Sequence, residues 1–314
     1  MKAIAYQKFG NLDVLQTVNV SKPIVQSNQV LVKVKAVSIN PMDWKIRKGE
    51  MKLMSGSKFP KNTGVDFSGI VEDTGSTVTD FKKGDEVFGI VKNMMKDGAL
   101  AEYVAVPSSF IWKKPAQISF AQAAAIPVVG IAAATALKKM GNISAQSKIL
   151  INGATGGFGM FLLQLLRQKG ADVTAVVSPK AMAHAQKWGA NSVVDYTKQP
   201  VLSQKNTYDI VVDLSGKMRY TNAKQIMKSR ALFLNTTPRP IEIPTSLFEN
   251  LFTGKKHIVI LSSPSASNMD MLLNAINDGL QIEINKVFSF TQFKEAYQYA
   301  EQGGYVGKVA LEIN

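Results

Sequence analysis

Over residues 1–115 the chain reads as short apolar-rich segments broken by glycine. Lys2–Tyr6, Gln29–Ser38, Phe67–Thr74, Asp85–Ile90 and Ala101–Pro107 carry the strand pattern, with Gly64, Gly69, Gly75, Gly84, Gly89 and Gly98 between or within them. That spacing predicts antiparallel β structure. From Ser147 onward the rhythm becomes strand, helix, strand, helix, the signature of βαβ units that build a parallel sheet. Six strands are expected there: Lys148–Asn152, Asp172–Val177, Ser192–Asp195, Asp209–Leu214, Ala231–Leu234 and His257–Leu261, the number a full doubly wound nucleotide-binding sheet needs. A helix over Asn268–Leu280 follows, then a strand near Ile282–Phe288, a helix over Gln292–Gln302 and a closing strand Lys308–Ile313. The change of rhythm places a boundary within residues 115–125, and the tail is expected to return to the first domain. The chain therefore divides into residues 1–120 completed by 281–314, and residues 121–280 between them.

The apolar material is ample: 314 residues, 46% hydrophobic and 19% charged, a composition that supports packed cores and not a disordered chain. There is no cysteine, which removes disulfides, zinc–thiolate sites, iron–sulfur clusters and thiol nucleophiles. The longest apolar run, Ala123–Leu137, is interrupted by Pro127 and Gly130 and falls short of the roughly 20 residues of a membrane-spanning helix. The opening MKAIAYQKFG alternates like a strand and lacks the features of a signal peptide, so a cytoplasmic location is expected. A formal net charge of +14 raises nucleic acid as a partner, but the excess is divided between both halves of the chain with no basic arm. Pairs such as Lys82/Lys83, Lys113/Lys114 and Lys138/Lys139 fall where solvated turns and helix ends are expected, so nucleic-acid binding is not the primary reading.

The run Ile149-Leu150-Ile151-Asn152-Gly153-Ala154-Thr155-Gly156-Gly157-Phe158-Gly159 sets a glycine-rich turn between an apolar strand and a helix. Glycines there permit a tight turn and let backbone N–H groups approach a pyrophosphate, toward which the following helix points its positive end. Phe158, Phe161, Leu162, Leu165 and Leu166 fall at helical spacing and would pack that helix on the sheet. An ordinary glycine turn is the competing explanation; the preceding strand, following helix and second strand at the right distance favour dinucleotide binding. At the end of the second strand an Asp or Glu would bond the ribose hydroxyls of NAD, but the chain reads Val177-Ser178-Pro179-Lys180. A hydroxyl and a cation suit a 2′-phosphate, so NADPH is the expected cofactor. Ser178-Pro179 also forms a good helix start for a helix ending near Trp188, Lys180 also suits a solvated first turn, and Tyr196 suits either the adenosine phosphate or a sheet cap.

Together with this turn, several phrases resemble the zinc-independent quinone oxidoreductases of the medium-chain dehydrogenase/reductase superfamily, including their alkenal and enone reductase relatives. They are Ser38-Ile39-Asn40-Pro41-Met42-Asp43-Trp44-Lys45 with Arg47 and Gly49, Phe59-Pro60, Gly64–Val71, Phe81–Val87, Gly98–Val104, Ala123–Pro127, Trp188-Gly189-Ala190, Val194-Asp195-Tyr196 and Gly307-Lys308-Val309. The resemblance spans essentially the whole chain. It implies an α/β protein with a GroES-like β-rich domain and a Rossmann doubly wound parallel-sheet domain.

The resemblance further implies that the Gly153–Gly159 turn (Gly153, Ala154, Thr155, Gly156, Gly157, Phe158, Gly159) meets the pyrophosphate, and that Ser178, Lys180 and Tyr196 meet the adenosine phosphate. Asn40 and Lys45 match positions near the nicotinamide or substrate at an interdomain cleft, and Lys308 joins the cofactor-binding residues. Asn40 before Pro41 also suits a turn, and Lys45 a solvated surface. Thr236 and Pro238, in the Asn235–Pro238 loop beyond a strand's carboxyl end, are expected to line the nicotinamide pocket unless the loop is a plain connection. Zinc-dependent relatives carry a cysteine and a His-Glu pair where this chain has Gly64-Val65-Asp66, and Ala132 replaces a threonine found in many relatives; His184 and His257 are expected to be structural.

Without a metal to polarise it, the acceptor is expected to be already electron-poor, a quinone or an α,β-unsaturated carbonyl that takes hydride from NADPH. The proton is expected from solvent or from a hydroxyl not identified in the sequence, with Tyr103 and Asp43 as secondary candidates, and the loops Met51–Lys58 and Met94–Asp97 are candidate walls for a hydrophobic acceptor or simple surface turns. The partner is thus a small electrophilic molecule, with no membrane partner and a homodimer implied by the resemblance, for which edge pairing along His257–Leu261 is one candidate route. An acyl-thioester enone remains another acceptor class. The competing function is an NADPH-binding protein with a non-catalytic or RNA-binding role.

Overall fold

The computed structural model describes residues 1–239, 241–261 and 264–313, and these form two compact units. The first comprises Met1–Val128, Ile284–Gly303 and the chain from Lys308; the second comprises Val129–Glu283 and Gly304–Gly307.

The first unit is built on strand Gln29–Ser38, whose apolar positions Val30, Val32, Val34 and Val37 are all buried. It pairs antiparallel with Asp66–Thr74, Tyr103–Pro107 and Lys308–Glu312, so the closing strand of the chain lies in the same sheet as an early one. Glu86–Ile90 and Ile111–Lys113 extend that sheet beyond Asp66–Thr74, and Ile284–Ser289 extends it beyond Lys308–Glu312. A smaller sheet joins Gln16–Asn19, Lys2–Tyr6 and Lys61–Asn62. Gln16–Asn19, Lys61–Asn62 and Ile111–Lys113 have no counterpart among the expected strands; the first is polar and mostly exposed and the other two are very short, so none carries an alternating apolar signal.

Register does the positioning in this unit. Ser38 lies opposite Asp66 on one side and opposite Ala310 on the other. Side chains alternate across a strand, so Ser38 and the position two beyond it share a face, as do Ala310 and Lys308. Three segments far apart in sequence, at residues 38–40, 66 and 308, therefore converge on one spot.

The second unit holds a six-stranded parallel sheet in the spatial order Ser192–Asp195, Asp172–Val177, Lys148–Asn152, Tyr208–Asp213, Met227–Asn235, Lys256–Val259. Chain order reverses beside Lys148–Asn152, the switch point at which doubly wound sheets open a crevice beyond their carboxyl ends. The strands found match those expected to within a few residues; Met227–Asn235 begins earlier than Ala231 because Met227 is buried against Tyr208 and Ile226. Helix Gly157–Gln168 packs Phe161, Leu162, Leu165 and Leu166, all buried, on the sheet.

Candidate functional site

In the second unit the expected residues gather on one edge of the sheet. Val176 and Asp213 both stand level with Asn152, Val177 with Asp195 and Asp213 with Asn235, so the segments that leave these strands emerge side by side. They are the Gly153–Gly159 turn, Ser178–Lys180, Tyr196 and Thr236–Pro238.

The glycines of the turn have separate reasons to be there. Gly153 has φ +82°, a left-handed conformation that a side chain resists. A Cβ on Gly159 would come within 2.2 Å of the Ala154 carbonyl oxygen, so the turn packs against its own helix only without a side chain. Gly156 differs. Its backbone is ordinary extended chain at the helix N-cap, φ −71° and ψ 175°, and a Cβ there would meet nothing nearer than the Gly153 carbonyl oxygen at 3.8 Å. Neither its backbone conformation nor its packing requires glycine at 156, although glycine suits a helix N-cap. The Thr155 carbonyl accepts a hydrogen bond from the Gly307 N–H at 2.9 Å, which ties down one flank of the turn.

The neighbouring segments offer further unspent polar groups. Ser178 takes the helix N-cap position before Pro179, as its sequence suggests, yet its hydroxyl makes no capping hydrogen bond. Lys180 is exposed and Tyr196 is 55% exposed, while no carboxylate follows Val177 at the strand's end. Thr236 donates its hydroxyl to the Asp213 carbonyl at 2.9 Å, Pro238 is half-buried beside it, and the buried Thr237 hydroxyl has no hydrogen-bond partner. Asp213 organises this edge: its carboxylate accepts from the Asn152 amide at 2.9 Å and from the Ser215 hydroxyl at 2.8 Å.

In the first unit, Asn40, Asp43 and Lys308 are brought together, and with them a residue to which the sequence assigned no role, Asp66. Asn40, two residues beyond strand Gln29–Ser38, is the N-cap of helix Pro41–Arg47, and its N–H donates to Asp43 Oδ2 at 2.8 Å. Its side chain is held at both ends: Asn40 Nδ2 donates to Asp66 Oδ2 at 2.9 Å, and Lys308 Nζ donates to Asn40 Oδ1 at 2.6 Å. Asp66 also accepts from the Ser38 hydroxyl at 3.3 Å and from the Val128 N–H at 3.0 Å, and Lys308 also donates to the Ile39 carbonyl at 2.8 Å. Asn40, Asp43, Asp66 and Lys308 are each at most 4% exposed. The signal for Asp66 was a carboxylate set between the apolar Val65 and Phe67, both buried; its partners lie too far away in sequence to be read with it.

Burial dominates the electrostatics. It pushes the Asp43 carboxyl up to about 7 against the pull of its bond from Asn40, with the Asp66 carboxylate pushing the same way and Lys308 and Arg47 opposing. Burial likewise pushes Asp66 up to about 6 and moves the Lys308 ammonium down. Asp43 lines a narrow surface pocket together with Tyr6, Lys61, Thr63, Met94 and Asp97. Met94 and Asp97 belong to the loop expected to be a wall. Lys45, half-buried on the same helix as Asp43, does not join the Asn40 network, and Tyr103 instead stacks under Lys22 at 4.1 Å. Among the described residues no group of three or more His, Cys, Asp or Glu is placed to hold a metal ion.

Two family profiles match: the alcohol dehydrogenase GroES-like domain over residues 26–116 and the zinc-binding dehydrogenase family over residues 188–311. Among characterised proteins, the chain is 32% identical to NAD(P)H oxidoreductase RTN4IP1, mitochondrial, of Danio rerio, covering 100% of this chain and 91% of that one. It is 29% identical to the chloroplast envelope quinone oxidoreductase homolog of Arabidopsis thaliana, over 99% and 98% of the two chains, and 31% identical to 2-methylene-furan-3-one reductase of Solanum lycopersicum, over 99% and 79%. Among solved structures, the quinone oxidoreductase of Coxiella burnetii superposes with a TM-score of 0.92 at 29% identity, covering 100% of this chain and 99% of that one. The Escherichia coli quinone oxidoreductase complexed with NADPH shares the fold at a TM-score of 0.84 and 23% identity, over 99% and 100%. A GroES-like unit joined to a Rossmann unit defines the medium-chain dehydrogenase/reductase class, and within it this chain belongs to the quinone oxidoreductase family.

Proposed function

We propose that this protein is an NADPH-dependent oxidoreductase that reduces a quinone or an α,β-unsaturated carbonyl. The observation that carries the reading is Gly156, a glycine with no conformational or packing need to be one, at the mouth of a helix on the switch-point edge of a parallel sheet. Relatives named NAD(P)H oxidoreductase, quinone oxidoreductase homolog and 2-methylene-furan-3-one reductase support the same chemistry.

In this reading the backbone of Gly153, Ala154, Thr155, Gly156, Gly157, Phe158 and Gly159 cradles the pyrophosphate. Ser178 and Lys180 hold the 2′-phosphate with Tyr196 against it, and Thr236 and Pro238 border the nicotinamide end. The bound dinucleotide supplies a hydride, and the acceptor gains that hydride and one proton to become a hydroquinone or a saturated carbonyl. Lys45 attends the acceptor side, and Asn40 acts there through the Asp43 carboxyl to which its N–H donates. Asp43 holds the proton: a buried carboxyl with its titration near neutrality keeps a protonated fraction at physiological pH and opens on the pocket lined by Met94 and Thr63.

The test follows NADPH oxidation by its near-ultraviolet absorbance with a benzoquinone, a naphthoquinone, a short enone and a long alkenal, in parallel with NADH. Turnover with NADPH, and at least about tenfold less with NADH, is expected. Gly156→Val should weaken NADPH binding at least about tenfold and lower unfolding stability by no more than about 1 kcal/mol, the N-cap preference for glycine, because its Cβ meets nothing nearer than the Gly153 carbonyl oxygen at 3.8 Å. Absence of NADPH binding by the unaltered protein would overturn the reading.

A further inference from the structure

Asp43 shares its surroundings with more buried charge than holding one proton requires. A second carboxylate, Asp66, and an ammonium, Lys308, lie in the same interior and meet through a single amide: Asp66 takes the Asn40 NH₂ at 2.9 Å and Lys308 gives to the Asn40 oxygen at 2.6 Å. Each such charge costs several kcal/mol to remove from water, and a well-packed apolar set would hold the strands together as well. The arrangement fixes something more specific than stability. With both ends of its side chain pinned, Asn40 has one backbone N–H left to aim, and it aims at Asp43 Oδ2 at 2.8 Å.

We propose that Asp66 and Lys308, coupled through the Asn40 amide, are positioning residues that set the orientation and charge of the Asp43 carboxyl at its pocket. The proposal rests on the reading of Asp43 as the proton-holding group, and gives that reading its control. The two act in opposite senses. The Asp66 carboxylate, a like charge, favours the protonated form of Asp43; the Lys308 ammonium favours the ionised form. The other groups around Asp43 are Arg47 on its own helix, Tyr6 on strand Lys2–Tyr6, Tyr297 on helix Phe293–Gln302, and Lys61 and Asp97 in the pocket wall. Arg47 is engaged by Glu301 and Tyr297 by Thr63 at 2.7 Å, and none of these touches the Asn40 amide.

The experiment follows the carboxyl-carbon NMR titration of Asp43 in the full chain without added cofactor, assigned by its disappearance in Asp43→Asn. The midpoint is expected near pH 7 in the unaltered protein. It should fall by about one pH unit in Asp66→Asn and rise by a similar amount in Lys308→Met, the span a single close charge produces. Lys308→Met leaves two buried acceptors unpaired and is the variant most at risk of unfolding; Asp66→Asn keeps the shape and the Lys308–Asn40 bond, leaves one buried donor without its acceptor, and is the variant that decides. A midpoint that stays put or rises in folded Asp66→Asn overturns the proposal. The pH profile of NADPH turnover with naphthoquinone is read beside it. If the midpoint moves while the turnover profile does not, the control by Asp66 and Lys308 stands and Asp43 is removed from proton delivery, so the two readings fail separately.

Discussion

The two units build their candidate sites from opposite materials. In the Rossmann unit the site is backbone: a glycine turn, a helix start and loops that leave parallel strands side by side, with Ser178, Lys180 and Tyr196 at the edge in contact with solvent. In the GroES-like unit it is side chain: two carboxylates, an amide and an ammonium withdrawn from water and satisfied by one another. The first arrangement suits a ligand that brings its own charge, because backbone N–H groups and a helix end are already oriented and cost no desolvation of an ion. The second suits control of a proton, because a low-polarity interior makes each neighbouring charge count. Shape is what must be exact in one; charge balance is what must be exact in the other.

The largest effect should come from breaking the backbone site. Gly159→Val places a side chain against the Ala154 carbonyl, which a Cβ would already approach to 2.2 Å, and should destabilise the Rossmann unit by about 3 kcal/mol or more in chemical denaturation. Retained stability would show that the turn is looser than its packing indicates. Next in size is a difference in pH response. Asp43 and Asp66 titrate above the ordinary carboxylate range, so the folded state holds protons that the unfolded chain has released. Their contribution is present below about pH 4 and is lost as pH rises through about 6 and 7.

Glu242 in the Rossmann unit goes the other way. Burial raises it, but the Arg239 N–H and guanidinium and the Asn235 amide outweigh burial and bring it below its usual value. Its contribution is present above the ordinary glutamate range and is lost as pH falls. Amide exchange resolved by unit, over about pH 2.5 to 8, should therefore show Glu242→Gln flattening a rise around Asn235 below about pH 4.5 and Asp43→Asn flattening a decline around Asn40 above it. The same slope in both would end the contrast. The smallest effect is at the solvent edge: Lys180→Ala should cut the NADPH-over-NADH preference about tenfold, or about 1.4 kcal/mol, without changing stability, as read by the ratio of kcat/KM values. An unchanged ratio would leave Ser178 and Tyr196 to carry any preference.

Most of the strands were legible because their signals are local. Gln29–Ser38 was delimited as found, and the six parallel strands announce themselves by apolar runs between helical segments. The strands that escaped, Gln16–Asn19, Lys61–Asn62 and Ile111–Lys113, are polar or very short and owe their conformation to the neighbour they pair with. For the candidate sites the same division holds. Asn40 and Asp43 stand out in a short run, and resemblance marked Lys308, but nothing in the sequence joined Lys308 to Asn40 or gave Asp66 a part. The sequence by itself determined the glycine turn, because a tight turn, a helix start and close backbone approach are all decided within a few residues. The buried charge cluster exists only once the chain has folded, because antiparallel register at Ser38, Asp66 and Ala310 brings a segment near the chain's end against two near its start, and burial then alters what those side chains can do.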